Sequence, residues 1–377
     1  MLQRVGSSRM NSSGNNIRFQ KHNEDMMTRE EIYGSLRAKV RDVVPEIELR
    51  YKAELAYEII QLKKEKNALI LGHHYMEPAL YHSIVDITGD SLELSRAAAQ
   101  ADHDIIVFCG VRFMAETAKI LNPGRTVLLP SDEAGCSLAD EITAEDVRRL
   151  KAEFPGAPVV AYINTSAAVK AESDICCTSG NAASIIQSLD AESVIFLPDE
   201  YMARNVAIET GRQIVVPDQS QGRAGNGSGG GYRIISWHGR CEVHEKFSTA
   251  DVENVRKQFP DALILAHPEC RPEVVAASDF SGGTSAMVRF IRNSTARRYL
   301  LLTECAMGEN IAVAFPDREM LRLCSVRCPH MNKITLESTL ESLRLMRHAI
   351  EIPEDVRAKA ARALERMLTT VAASRPS

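Results

Sequence analysis

An apolar run ending in polar, titratable side chains is written three times in this chain. Residues 68–75 read ALILGHHY, residues 262–269 read ALILAHPE, and a looser copy at residues 158–165 reads PVVAYINT. A continuous apolar run of this length is the pattern of a strand covered on both faces, as in a parallel sheet. Each run is followed by the same alternation. The first continues through helix SLELSRAAAQ, strand DIIVFCGV, helix RFMAETAKIL and strand TVLLPSDEAGC. The second continues through SAAVKAE, SDICCTSG, NAASIIQSL and SVIFLPDE, and the third through RPEVVAA, SDFSGG, TSAMVRFIRN and YLLLTECAMG. Strands alternating with helices give parallel sheets with right-handed crossovers. A repeat of roughly ninety to a hundred residues is far above solenoid periods.

The expected fold is therefore α/β: three pseudo-threefold-related, three-layer domains with small parallel sheets around a central active site. The expected division is an N-terminal extension over 1–45, disordered in part, with a helical pattern beginning near Thr28 and broken at Pro45. Residues 46–136 with the C-terminal helices 338–377 form the first domain, 137–241 the second, and 242–337 the third. A glycine-rich insert, 220–233, reads as a surface linker and lacks the P-loop pattern.

The 377 residues are 45% hydrophobic and 25% charged, ordinary globular composition, and the net charge of −5 gives no reason to expect a nucleic acid partner. No apolar run approaches the length of a membrane span. Acidic residues at Glu24, Asp25, Glu30 and Glu31 spoil a transit peptide, and no apolar stretch follows a basic start. The expected location is cytoplasmic. Nine cysteines with no CxxC spacing are then free thiols or metal ligands rather than a disulfide framework.

Ligands bind beyond the carboxyl ends of parallel strands. Those ends carry His73, His74 and Tyr75, then Tyr162 and Asn164, then His267 and Glu269. One such histidine is usually a packed structural residue; three equivalent strands ending this way point to a shared site. TSGN at 178–181 and SGGTS at 281–285 each open a helix, an arrangement that suits an anion as well as an ordinary helix cap. Cys136, Cys241 and Cys328 recur once per unit. Aimed at one centre, they could hold an iron–sulfur cluster with one iron free of protein ligands, or zinc with a water.

Taken together, LGHHY, GDSLELS, FCGVRFMAETAKILNP, EAGCSLAD, VVAYINT, TSGNA, CEVHEKF, AHPEC and CPHMNKITLES resemble the quinolinate synthase family, the A protein of bacterial NAD biosynthesis, in order from about residue 50 to 370. The resemblance implies a three-domain α/β enzyme that condenses iminoaspartate with dihydroxyacetone phosphate to give quinolinate, phosphate and two waters. It implies a 4Fe–4S cluster on three cysteine ligands, Cys136, Cys241 and Cys328, with Met331 lining the cluster pocket. Substrate contacts fall on His73, Ser91, Tyr162, Asn164, Ser179, His267, Glu269 and Thr284. Tyr75 and Glu269 look like the acid/base pair, with His267 and Tyr162 beside them as catalytic groups. L-aspartate oxidase, the source of the imine, is a candidate transient partner. Cys324 is expected to be a spare or redox-sensitive thiol rather than a ligand. On the residues alone two rivals stay open: an aconitase-like hydro-lyase using the same iron, and a non-catalytic binding protein with cysteines packed in its cores.

Overall fold

Three parallel sheets, one per repeat, account for the strands of the computed structural model, which describes residues 27–217, 232–321 and 326–373. The expectations for residues 1–26, for nearly all of the insert and for Cys324 lie outside the described residues. The first sheet contains β1 (Ala68–His73), β2 (Ile87–Gly89), β3 (Ile105–Cys109) and β4 (Thr126–Leu128) in the order β2-β1-β3-β4. The second contains β5 (Val159–Tyr162), β6 (Ile175–Cys177), β7 (Ser193–Leu197), β8 (Gln213–Val215) and β9 (Arg233–Ser236), ordered β6-β5-β7-β9-β8. The third contains β10 (Leu263–Ala266), β11 (Phe280–Ser281), β12 (Arg298–Leu302) and β13 (Glu319–Leu321), ordered β11-β10-β12-β13. All pairings are parallel. The three-domain α/β expectation holds.

The apolar runs are the central strands. All six residues of β1 and all four of β5 are buried, as strands flanked by helices on both faces must be. Several short elements escape periodicity. Strands of three residues, such as β2 and β8, carry too few positions to show a period, and Cys305 starts a helix (Cys305–Ala314) where the sequence suggests continuing strand.

An aspartate repeats with the fold. Asp86, Asp174 and Asp279 precede β2, β6 and β11, and each carboxylate accepts from the backbone N–H of Ile70, Val159 or Ile264 at 2.8 Å. Each aspartate N–H returns a bond to the carbonyl of that same residue. The bonded residue lies three positions before His73, Tyr162 or His267, so the second strand is pinned to the first just below the polar tip.

The repeats are tied head to tail by the helix that follows the third strand of each. Glu116 in helix Arg112–Leu121 accepts from Ala167 N–H at 2.7 Å, holding the loop beyond β5. Asn205 in helix Glu200–Thr210 donates to the carbonyls of Pro268 and Cys270 at 2.8 and 2.9 Å, holding the loop beyond β10. Asn310 in helix Cys305–Ala314 donates to the carbonyls of His74 and Met76 at 3.0 and 2.9 Å, holding the loop beyond β1. The ring closes: first repeat onto second, second onto third, third onto first.

Helices outside the repeats complete the layers. Pro45 separates helix Arg29–Val40 from Glu46–Glu65, and the two pack together. Helix Leu336–Leu345 lies against Glu46–Glu65, whereas the long helix Glu354–Ala373 packs chiefly on helix Ala167–Ala171 and β6, so the C-terminal helices span two repeats.

Two stability experiments follow from this packing. Asn310→Leu leaves two buried carbonyls without their donor and should cost about 2 kcal/mol in denaturant unfolding. A cost under about 0.5 kcal/mol would remove this link from the ring. His82, under helix Arg29–Val40, has its imidazole pushed down to about 4, by burial first and by the nearby Lys39 second. The unfolded chain binds a proton near pH 6.5 and the folded chain does not, so stability is complete above that pH and is lost as pH falls from 6.5 towards 4. His82→Gln should remove on the order of 2–3 kcal/mol of that acid-dependent loss. An unchanged slope would show that His82 titrates normally in the folded chain.

Candidate active site

His73 and His267 end equivalent strands and are held alike. The Nδ1 of His73 accepts from Tyr75 N–H, and that of His267 from Glu269 N–H, both at 3.3 Å. Nδ1 is thereby committed as acceptor, so the neutral ring carries its proton on Nε2. Burial, first among the causes, holds His73 well below its usual range and lowers His267 to about 3. Both imidazoles are neutral N–H donors.

Glu269 joins the repeats. It accepts from the Tyr162 hydroxyl, from Asn164 Nδ2 at 3.4 Å, and from His244 Nδ1 at 2.8 Å. Burial acts to raise its carboxyl; the imidazoles of His267 and His244 and the hydrogen bonds from His244 and Tyr162 outweigh it, and the group sits well below the usual carboxylate range. With Nδ1–H donating to Glu269, His244 Nε2 accepts from Thr303 Oγ1 at 2.9 Å, and Thr303 Oγ1 accepts from the Tyr75 hydroxyl at 2.5 Å. Tyr75, Thr303, His244, Glu269 and Tyr162 thus form one hydrogen-bonded chain with an anion near one end and phenols at both. Burial, then the Glu269 charge, raises both phenols well above their ordinary range, so both stay protonated.

Lys170, fully buried, donates from Nζ to the carbonyls of Ile163 at 2.9 Å and of Thr165, and so holds the turn that carries Tyr162 and Asn164. Asp199 is also fully buried: one oxygen caps helix Glu200–Thr210 through Met202 N–H at 2.8 Å, and the other has no hydrogen-bond partner among the described residues. Burial first, and the charge of Glu269 next, raises its carboxyl well above the usual range.

The second strands bring the hydroxyl-rich turns together. Thr284 hydrogen-bonds His74 Nδ1 at 3.0 Å, which gives His74 a partner across two repeats. Ser179 lies so close to Gly283 that a Cβ there would clash with its Oγ. Ser91 opens helix Ser91–Ala99, but the bond from that turn to the third repeat is made by Glu93, which accepts from Ser285 Oγ.

The three once-per-repeat cysteines share one local structure. Each begins a helical turn in which its carbonyl accepts from the residue four on: Asp140 onto Cys136, Glu245 onto Cys241, Asn332 onto Cys328. Each sulfur faces the N–H groups two and three residues on: Leu138 and Ala139, Val243 and His244, His330 and Met331. Met331 is buried. Cys136 lies within electrostatic reach of both Cys328 and Cys241. Burial pushes the thiols of Cys136 and Cys241 well up and that of Cys328 to about 11, against the pull of those amides. Partly buried sulfurs with converging N–H donors become thiolates when a cation offsets their charge, so the set fits a three-thiolate metal cluster. The remaining described cysteines are free thiols.

Nothing in the local sequence singles out His244 or Thr303. His244 stands three residues after Cys241 and Thr303 follows β12, and neither signal is distinctive without the partner 59 residues away.

A family model described as Quinolinate synthetase A protein matches residues 57–369. Quinolinate synthase 1 of Mesorhizobium japonicum is 48% identical over 334 residues, covering 89% of this chain and 97% of that one. Quinolinate synthase of Xylella fastidiosa is 50% identical over 310 residues, covering 82% and 85%, and that of Agrobacterium fabrum is 47% identical over 334 residues, covering 89% and 91%. With the motifs in order and three repeats built around one polar centre, the chain belongs to the quinolinate synthase family and is an enzyme of that family.

Proposed function

We propose that this enzyme condenses iminoaspartate with dihydroxyacetone phosphate, releasing phosphate and two waters and forming quinolinate for NAD biosynthesis. The observation that carries the proposal is the hydrogen-bonded chain Tyr75–Thr303–His244–Glu269–Tyr162, whose middle member, His244, has its Nδ1 3.2 Å from the Cys241 sulfur. Building a pyridine ring from these substrates needs one C–C bond, one C–N bond, loss of phosphate and two dehydrations. Every step moves a proton, and a buried chain linking an anionic carboxylate to protonated phenols can accept at one point and return at another.

The assigned roles follow from protonation. Glu269 is the base, fed through His244. Tyr75 is the acid, its hydroxyl held in place by Thr303 Oγ1. His73 and His267 present Nε2–H to substrate oxygens, and Asn164 and Tyr162 orient the carboxylates. Ser91, Ser179 and Thr284, at three helix starts, bind the carboxylate and phosphate oxygens. Cys136, Cys241 and Cys328 would hold a 4Fe–4S cluster, which when bound supplies an iron without a protein ligand as a Lewis acid that makes hydroxide a better leaving group.

We take the three units to be the domains, bounded as the sequence suggests except that helix Glu354–Ala373 packs on the second unit, and the compartment to be the cytoplasm, where thiols stay reduced. No helix among the described residues is long and apolar enough to cross a membrane. An oxidase acting on L-aspartate would supply the short-lived imine as a transient partner.

Iron and acid-labile sulfide, measured on protein purified without oxygen, should come to about four of each per chain and be lost in Cys136→Ala. Metal contents unaffected by that substitution would remove the three-thiolate cluster. With the cluster retained, Glu269→Gln and Tyr75→Phe should each lower kcat for quinolinate formation by about 10²–10⁴, and Thr303→Val, which interrupts the chain between them, should fall in the lower part of that range. Wild-type turnover in Thr303→Val would show that protons do not pass through His244.

A further inference from the structure

We propose that Cys241, His244 and Glu269 form, in the cluster-free chain, a separate site for one zinc-class divalent cation, and that its occupation excludes the three-cysteine cluster. The site goes beyond the proposed activity; only the exclusion rests on that reading.

One donor atom from each residue lies within 4.8 Å of the others. His244 Nδ1 is 3.2 Å from Cys241 Sγ and 2.8 Å from a Glu269 oxygen. Tetrahedral zinc holds sulfur, nitrogen and oxygen ligands about 3.4–3.6 Å apart, so the two edges that meet at His244 need to open by only about half an ångström. Thiolate, imidazole and carboxylate together favour zinc and its neighbours over magnesium or calcium, which take oxygen. Three protein ligands leave a fourth position for water.

The surroundings are those of a built site. His244 and Glu269 are 2% and 3% exposed. Glu269 is oriented by Tyr162 and Asn164, and the Cys241 sulfur by the amides of Val243 and His244. A metal-ligating imidazole usually donates its other N–H to an outer partner. Here that partner is in place, with Thr303 Oγ1 at 2.9 Å from Nε2. The protons balance: the thiol loses one to solvent, the His244 proton moves from Nδ1 to Nε2, and metal–sulfur, metal–nitrogen and metal–oxygen bonds form without redox change. The same Cys241 sulfur is then lost to the cluster, and the same Nδ1 and carboxylate leave the proton chain.

This donor set differs from zinc on three thiols, and substitution separates the two. Zinc ion is titrated into the full-length cluster-free protein against a chromophoric chelator. One zinc should bind per chain, weakened roughly a hundredfold in both His244→Ala and Glu269→Gln, and unchanged in Cys136→Ala and Cys328→Ala. His244→Gln, which keeps volume and polarity, guards against a folding defect and should behave as His244→Ala does. Loss of zinc in Cys136→Ala with retention in His244→Ala would place the metal on the thiols and overturn the proposal, as would the absence of stoichiometric binding. Protein with its cluster built should take up no zinc, and uptake beside an intact cluster would overturn the exclusion. Zinc bound in the expected pattern by a chain that never assembles a cluster would uphold the site and sink the cluster reading instead.

Discussion

The ring of three contacts between repeats is the constraint on which the rest depends. Glu116, Asn205 and Asn310 stand at equivalent places on the helix after each third strand, and each holds the loop beyond the first strand of the next repeat. Those loops carry Asn164, Glu269 and Tyr75, and the first of them starts directly after Tyr162. A side chain placed from one domain would move with that domain. Here every polar tip is fixed from two repeats at once, which is how groups far apart in the chain reach hydrogen-bond distance. Rate falls steeply with misplacement of reacting groups, so this double anchoring bears on chemistry as well as stability.

Within that frame, burial does most of the chemical tuning. It keeps His73 and His267 neutral, and their backbone bonds choose which nitrogen carries the proton. It keeps Tyr75 and Tyr162 protonated. Glu269 alone is pulled the other way, because donors from two repeats converge on it. The outcome is an anion and several neutral donors in one water-poor space, where a proton shift has few competing acceptors.

Much of this was legible in advance. The apolar runs at 68–75, 158–165 and 262–269 are the central strands, and their terminal residues do meet. The cysteine repeat is matched by a repeated helical turn at Cys136, Cys241 and Cys328. The rest is not legible in the sequence, for physical reasons. Strands β2 and β8 are too short to show a period. Asp86, Asp174 and Asp279 recur before second strands, yet an aspartate at a loop end is so common that the recurrence carries meaning only once its bond to the neighbouring strand is seen. His244, Thr303, Asn205 and Asn310 sit in helices, turns and strand ends where nothing in the local pattern sets them apart.

The sequence by itself determined the class of fold, the number of repeats and which residue types end their strands, because burial and periodicity are local properties of the chain. It also carried the family, through motifs in order. Only the tertiary structure decided that Glu269 draws on Tyr162 and His244, that Thr303 links His244 to Tyr75, and that the long C-terminal helix leans on the second sheet. Those are relations between residues tens to hundreds of positions apart, and no local pattern encodes a distance that exists only after three sheets have closed on one centre.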